Sequence, residues 1–400
     1  MCDGRASEIM GAVYTVADYG RMLSDSVRVR AYEAALRAVI RPGAVVLDLG
    51  AGTGFFSMLA AKLGAGRVYA VEENDAIEVA ARMVRDNGLS DRVFCVRARS
   101  TAIELEAKAD VIVSDLRGSL PLYGAHAAAL ADAKARLLAP GGVLLPRRDH
   151  LVCAPLESAY HHARLLGAWD TRAFGFDMRG GLVHATSTIL DASGPGVSPS
   201  SLLAEGVRFA TLEYGQAIDA VRGQASFVAA RGGLVEGFVV WFEAEIHDGI
   251  GFHTGPGSDR VYGRVLFPLA EPLEVAAGDG LAVTWLARPT VDEHLWSWTT
   301  TFTPKEGPTR RFDQSTFFAP ARLTLPGATP ELGPGAKVAA EALDRLVRGQ
   351  PLPEVVEALS TEFAGFFREE GAALTWVQRL AARYERSALP SVPGLRARNA

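Results

Sequence analysis

Residues 44 to 145 alternate between short apolar runs and longer runs in which apolar residues recur at helical spacing. Five short runs have the character of strands: Ala44–Leu49, Arg67–Glu72, Arg92–Ala98, Asp110–Asp115 and Gly141–Leu145. Three longer runs have helical periodicity: Phe55–Leu63, Asp75–Asn87 and His126–Leu138. This alternation predicts βαβ units, and therefore a parallel sheet with helices on both faces.

After Pro146 the pattern changes to strands at hairpin-like intervals, separated by Gly, Pro and Asp. The clearest are Phe238–Ile246, Arg260–Leu269, Leu281–Arg288 and Ser297–Pro304. They predict an antiparallel sandwich or barrel. A linker, Pro326–Gly335, precedes three helical runs (Ala336–Arg348, Leu352–Phe363 and Glu369–Arg386) and then a loose tail. The predicted domains are therefore 1–146, 147–325 and 336–386.

Composition narrows the class of protein. The chain has 400 residues, of which 48% are hydrophobic and 22% charged, so it is globular and large enough for two or three domains. A net charge of −5, without a long Lys/Arg run, disfavours a nucleic-acid partner. Neither a signal peptide nor a run of about eighteen apolar residues occurs, which predicts a soluble, cytoplasmic protein without a membrane partner. No metal-ligand spacing is present, so no metal is predicted.

The sharpest motif is VLDLGAGTG, residues Val46 to Gly54. Glycines at alternate positions predict a tight turn between a strand and a helix, where backbone can approach a nucleotide closely. Glu72 ends the next predicted strand and could accept hydrogen bonds from both ribose hydroxyls. The motif, with Asp48 two positions before Gly50, resembles motif I of class I S-adenosylmethionine-dependent methyltransferases. A structural glycine turn and a nicotinamide site are the alternatives.

Three further segments resemble the protein arginine methyltransferase family. They are Tyr19–Tyr32 (YGRMLSDSVRVRAY), Gly142–Pro146 (GVLLP) and Phe174–Met178 (FGFDM). The resemblance extends from about Tyr14 to Leu325. It implies a Rossmann-like methyltransferase domain, then a β-barrel substrate domain with a dimerisation arm at about 178–205, and a homodimer. The active site would lie between the two domains.

The resemblance also implies roles for single residues. Arg28 would pair with the methionine carboxylate of S-adenosylmethionine, and Met22 would approach its reactive methyl group. Glu72 would hold the ribose, and Ser100 and Thr101 would flank the adenine. The full set of predicted cofactor-binding residues is Met22, Arg28, Asp48, Gly50, Ala51, Gly52, Gly54, Glu72, Glu73, Ser100, Thr101 and Asp115.

The sequence departs from the family where the acceptor would bind. The family's two guanidinium-binding glutamates correspond to Asp115 and Gly124 here, and its Thr-His-Trp loop corresponds to Arg260-Val261-Tyr262. Recognition of a guanidinium favours paired planar acceptors, and Arg117 adds a positive charge beside the remaining carboxylate. We therefore expect N-methylation of a non-guanidinium amine, in a peptide such as a ribosomally made, modified natural product or in a specialised metabolite.

Four residues are candidates for the catalytic chemistry. Asp115 could orient a neutral amine and take up its proton, beside Tyr262, and His126 or His253 could serve as a base. For a lone histidine an ordinary surface or interface position is the simpler interpretation. An arginine methyltransferase with an eroded double-Glu loop, an O-methyltransferase and a non-catalytic cofactor-binding scaffold remain alternatives.

The C-terminal helical segment has a weaker signal. Residues 343 to 359 are similar to small helical modules that hold the leader peptide of a ribosomal-peptide precursor. A plain helical cap that packs on the barrel is the alternative.

Overall fold

The computed structural model describes residues 14–122, 126–194, 196–290, 294–318, 333–367, 371–384 and 392–398. The helices of this part are α1 (Val16–Ser24), α2 (Ser26–Val39), α3 (Phe55–Lys62), α4 (Ala76–Asp86), α5 (His126–Arg136), α6 (Ala159–Leu165), α7 (Leu182–Ala185), α8 (Pro334–Val347), α9 (Leu352–Glu362) and α10 (Ala372–Tyr384). None of these helices is both long enough and apolar enough to cross a membrane.

Nineteen strands lie in the described ranges. They are β1 (Val45–Leu49), β2 (Arg67–Glu72), β3 (Val93–Arg97), β4 (Ile103–Leu105), β5 (Ala109–Ser114), β6 (Leu138–Leu145), β7 (Arg148–Leu156), β8 (Arg172–Ala173), β9 (Phe176–Asp177), β10 (Leu190–Asp191), β11 (Val207–Glu213), β12 (Val221–Val228), β13 (Gly233–His247), β14 (Ile250–His253), β15 (Val265–Val275), β16 (Gly280–Pro289), β17 (His294–Thr303), β18 (Arg310–Ser315) and β19 (Leu395–Ala397).

The first layer of the fold is a five-stranded parallel sheet in the order β3-β2-β1-β5-β6. Its central strands are largely apolar, as expected for a sheet that helices cover, and Val46 and Leu47 of β1 are fully buried. The strands and helices predicted between residues 44 and 145 are all present, with ends shifted by a few residues. The order places β1 at the centre, where its carboxyl end opens onto the site.

The antiparallel part follows from Arg148. One sheet has the order β10-β15-β13-β7-β11, with β14 paired to β13, and a second has the order β12-β16-β17-β18. Trp285, Trp296 and Trp298 are fully buried and pack around Phe267. The predicted strand Arg260–Leu269 is partly wrong, because β15 begins only at Val265 and the residues before it form a loop at the site. The predicted fold class, a Rossmann-like domain followed by a β-barrel and C-terminal helices, is confirmed.

The chain divides into two compact units, Met1–Leu323 with Leu389–Ala400, and Thr324–Ala388. Within the second unit, α8, α9 and α10 pack around a small core that contains Val338, Val355 and Val377. The expectation of a loose tail is wrong, because β19 pairs with β4 in the first unit. The domain boundaries at 146 and 325 remain predictions.

Candidate active site

The turn after β1 is made of backbone that only glycine adopts without strain. Gly52 has a φ of +53°, and a Cβ added to it would lie 2.5 Å from Cε1 of Tyr19. Gly54 has a φ of +77°, and its added Cβ would meet the Cβ of Ala80 in α4 at 2.9 Å. Gly52 therefore faces the cavity described below, whereas Gly54 permits helix packing. Gly54 does not line that cavity, and its contact with the cofactor remains a prediction.

Asp48 lies behind this turn. Its carboxylate accepts a 2.6 Å hydrogen bond from the hydroxyl of Ser57 in α3, and the residue is buried. Burial raises the pKa of Asp48 to about 7, although the Ser57 hydrogen bond opposes that shift. Asp48 does not line the cavity, because its position in β1 directs the side chain at α3. Its contact with the cofactor remains a prediction, and in the structure its side chain holds the start of α3.

Glu72 is fixed at the end of β2. One carboxylate oxygen accepts from the backbone N–H of Gly52 at 3.0 Å, and the other accepts from the N–H of Asn74 at 3.0 Å. These contacts hold the carboxylate beside the glycine turn. Glu73 follows it and forms an ion pair with Arg99 at 2.7 Å.

A cavity of about 540 Å³ begins at the glycine turn and extends to the barrel. Most of the predicted residues line it: Met22, Arg28, Gly50, Ala51, Gly52, Glu72, Glu73, Ser100, Thr101, Asp115, His126 and Tyr262. The glycine backbone and Glu72 lie at one end, and Ser100 and Thr101 form a 3₁₀ turn beside them. A glycine-rich turn next to a fixed carboxylate fits the ribose and adenine of a nucleoside cofactor.

Asp115, Arg28 and Tyr262 meet at the opposite end. Nε of Arg28 lies 2.5 Å from Oδ2 of Asp115, and the Tyr262 hydroxyl donates to the same carboxylate. Arg28 also donates to the Tyr262 hydroxyl at 3.0 Å and to the carbonyl of Met22 at 3.0 Å. Three segments that are remote in sequence thus meet at one carboxylate.

Asp25 holds this arrangement together, although the sequence did not single it out. It caps α2 by accepting from the N–H of Arg28 at 3.1 Å. It also accepts from Nη1 of Arg260 at 2.5 Å and from the N–H of Val261 at 3.0 Å. The cap therefore joins α2 to the barrel loop that carries Tyr262. An aspartate directly before a helical run is the local signal that could have found it.

Arg117 is fully buried beneath Asp115. Its Nη1 donates to Oδ1 of Asp115 at 2.7 Å, and its Nε donates to Asp149 at 2.7 Å. Tyr214 donates to the same Asp149 oxygen at 2.6 Å. Although burial alone raises the pKa of Asp115, the guanidiniums of Arg28 and Arg117 hold it below its usual range. Asp115 is therefore ionised, with both oxygens already engaged.

The two candidate histidines differ in position. His126 begins α5, lines the cavity, and packs edge-on against Tyr214. Burial, with a contribution from Arg117, lowers its pKa to about 3, so His126 is neutral at physiological pH and a weak base. His253 is exposed on β14 and does not line the cavity, because the strand alternates and Phe252 takes the inward position against Tyr262. That His253 is a catalytic base remains a prediction, to which this position adds no support.

Two other sequence predictions concern the position of the second glutamate and the absence of a metal site. Gly124, the counterpart of the second glutamate, lies outside the described residues. Within the ranges that the structure describes, no group of three or more His, Cys, Asp and Glu side chains is placed to hold a metal ion.

The glycine turn at the end of β1, Glu72 at the end of β2 and the parallel sheet define a class I S-adenosylmethionine-dependent methyltransferase. Residues 32–154 match the family model of ribosomal protein L11 methyltransferase (PrmA). The chain is 30% identical over 288 residues to protein arginine N-methyltransferase 1 of Schizosaccharomyces pombe, a match that covers 68% of this chain and 82% of the relative. The chain therefore belongs to the protein arginine N-methyltransferase family.

Two further proteins are similar to this chain. The probable protein arginine N-methyltransferase 6 of Arabidopsis thaliana is 29% identical over 251 residues, 61% of this chain, and the chain spans only 56% of that relative's length. The protein arginine methyltransferase 1 enzyme–prozyme heterotetrameric complex of Trypanosoma brucei, solved with AdoHcy, has a TM-score of 0.68 at 21% identity. This match covers 74% of this chain and 96% of that chain, and it shows a shared fold.

Proposed function

We propose that the protein transfers a methyl group from S-adenosylmethionine to a nitrogen atom of a polypeptide or small molecule. The observation that carries this proposal is the single cavity, which joins the glycine turn and Glu72 at one end to Asp115 and Tyr262 at the other. The T. brucei relative was solved with AdoHcy, which supports the same cofactor here. Glu72 would hold the ribose, Ser100 and Thr101 the adenine, and Arg28 the methionine carboxylate.

When bound, S-adenosylmethionine supplies an electrophilic methyl group on a sulfonium. The protein aligns the acceptor nitrogen and excludes water from it. Arg28 would exchange its contact with Asp115 for the cofactor's carboxylate, and Oδ2 of Asp115 could then accept an N–H of the acceptor. Arg117 and Tyr262 keep that carboxylate ionised and fixed in position. His126, neutral and buried, lines the same space and remains a candidate for the proton acceptor.

An arginine side chain is the first candidate acceptor, because the curated relatives named above are arginine N-methyltransferases. An ionised carboxylate at the end of the cavity is consistent with a guanidinium. In this candidate the single carboxylate of Asp115 replaces the family's pair, and the site is an eroded form of the usual one.

A neutral amine is the second candidate, and the ion network favours it. Asp115 pairs with the buried Arg117, which also pairs with Asp149, so part of its charge is compensated before an acceptor binds. An amine with a pKa near neutrality can present the lone pair that methyl transfer needs. The amine could belong to a peptide natural product or to a metabolite. Methylation of a hydroxyl group is a separate alternative.

The substitution Gly124→Glu separates the two candidates. With Arg-Gly-rich peptides and labelled cofactor, an arginine enzyme should gain roughly tenfold, because a second carboxylate adds a charge-assisted contact to the guanidinium. With matching peptides that lack Arg and Lys and offer only their N-terminal amino group, whose pKa is about 8, an amine enzyme should lose activity, because the added charge keeps the amine protonated. Mass spectrometry of the products, with wild-type protein as the control, identifies the methylated residue. Labelling of neither peptide would contradict both candidates for these peptides and leave a different peptide, a small molecule or a hydroxyl group as the acceptor.

We also propose a homodimer formed through the predicted arm at about 178–205 together with the residues just before it, from Phe174. Phe174 is fully exposed, and Phe176 and Val183 are 72% and 57% exposed, although all three are apolar. Closed two-fold pairs are the commonest way to bury such a surface. Light scattering should give a dimer for the wild type and a monomer for Phe176→Glu. Val228→Glu, at a barrel position that is 67% exposed, is the control and should remain dimeric.

A further inference from the structure

The last described residues of the chain, Val392–Arg398, form a strap on the Rossmann-like sheet. Leu395–Ala397 pairs antiparallel with β4, so that Leu395 lies opposite Leu105 and Ala397 opposite Ile103. The N–H of Glu106 donates to the carbonyl of Gly394 at 2.9 Å. β4 has no other strand partner among the described residues. The C-terminal strap is therefore its partner in the fold.

The fit of the strap is specific. Leu395 is buried in the cluster that contains Tyr69 and Ile103. Gly394 has a φ of +79°, and a Cβ added to it would lie 2.4 Å from the hydroxyl oxygen of Tyr69. That hydroxyl donates to the carbonyl of Pro393 at 2.9 Å. Only glycine can take this position without strain, so the sequence is adapted to the contact.

The strap reaches the turn that lines one end of the cavity. The N–H of Arg398 donates to the carbonyl of Ala102 at 2.9 Å, and Ala102 ends the 3₁₀ turn of Ser100 and Thr101. From α5, Arg136 donates to the carbonyls of Ser100 and Ile103 at 3.0 and 2.9 Å. The turn is therefore held from two sides, by α5 and by the strap.

We propose that the C-terminal strap is a positioning element for the nucleoside end of the cavity: it fixes the turn of Ser100 and Thr101, and so determines the affinity for the cofactor. This inference rests on the proposed function of the cavity. In the chain, the second unit, Thr324–Ala388, is inserted between the two parts of the first unit, and the strap belongs to the second of these parts. The strap acts through the turn and touches no reacting atom.

The substitution Gly394→Val tests the proposal, because it places a Cβ against Tyr69 at a φ that disfavours valine. Calorimetry should show about tenfold weaker binding of S-adenosylmethionine. The KM for the cofactor should rise in parallel, while kcat stays within about twofold because the acceptor end is unchanged. Arg396→Ala is the matched control: it removes only the exposed ion pair with Glu106 and should bind as the wild type does.

Hydrogen exchange on the full-length wild type provides a second test that does not depend on any variant folding. If the strap favours cofactor binding, the cofactor must equally stabilise the strap. Saturating S-adenosylmethionine should therefore slow exchange at the amides of Glu106 and Arg398. The amide of Met178, bonded to the carbonyl of Thr171 in the arm, should be unaffected.

Two results would overturn the proposal that the strap determines the affinity for the cofactor. One is wild-type affinity in Gly394→Val when exchange shows that the Glu106 amide has been released. The other is unchanged exchange at Glu106 and Arg398 in the saturated wild type. A wild type that does not bind S-adenosylmethionine at all would instead overturn the proposed function itself, and the strap with it.

Discussion

The two ends of the cavity are built in different ways. At the nucleoside end, backbone atoms of the glycine turn and one carboxylate, Glu72, are held by contacts between residues about twenty positions apart. At the acceptor end, charged side chains from three remote segments meet at Asp115, which pairs with Arg28, Arg117 and Tyr262. The first end follows the family pattern and the second departs from it. The acceptor end is therefore where the proposed acceptors have to be tested.

The largest effect is expected at the nucleoside end. Gly52→Val should abolish measurable binding of S-adenosylmethionine, because its side chain would collide with Tyr19 and enter the cavity. Gly88→Val is the matched control: Gly88 also has a positive φ, +65°, but nothing lies within 4 Å of its added Cβ. Both variants carry the same backbone strain, so calorimetry isolates the effect on the cavity. Equal affinities would show that the turn does not contact the cofactor.

At the acceptor end, Asp115→Asn should lower the turnover number by roughly 10²–10⁴, the usual contribution of a positioned acid–base group. The affinity for the cofactor should change little, because Arg28 loses a competing partner rather than its predicted ligand. Steady-state kinetics and calorimetry measure the two quantities separately.

Asp149→Asn is the control for this substitution. It removes a buried charge from the same guanidinium, Arg117, without altering the cavity wall. It should lower the free energy of unfolding, because an uncompensated charge remains in the interior. If both variants lose turnover equally, Asp115 acts only through the stability of the network.

The sequence predicted the nucleoside end well because its signals are local. The strands around the glycine turn are short apolar runs, and the spacing from Gly52 to Glu72 is that of one βα unit. The pairing of the strap with β4 could not be predicted, because a run of three residues is too short to show the periodicity of a strand. The sequence missed the Arg117–Asp149 pair because nothing local connects residues thirty-two positions apart. The sequence did not show that His253 faces away from the cavity, because a motif position does not say which side of a strand a residue faces.

The smallest effect concerns pH and His126 at the acceptor end. The folded protein lowers the pKa of His126 to about 3, against 6.5 for an unperturbed histidine. Between these values the unfolded chain binds more protons than the folded one, so the free energy of unfolding falls as the pH is lowered through 6.5. One such group contributes at most about 1.4 kcal/mol per pH unit.

The substitution His126→Phe should remove this contribution while it keeps an aromatic ring against Tyr214. Asp48, with a pKa raised to about 7, has the opposite effect, because its contribution to the free energy of unfolding grows as the pH falls from 7 towards 4. Both proteins contain Asp48, so the difference between them removes its effect. Urea unfolding of both proteins at pH 7.5 and 5.5 isolates the histidine. The wild type should lose stability relative to His126→Phe at the lower pH. Parallel curves would mean that His126 is protonated in the folded protein, where it could then exchange protons with an acceptor.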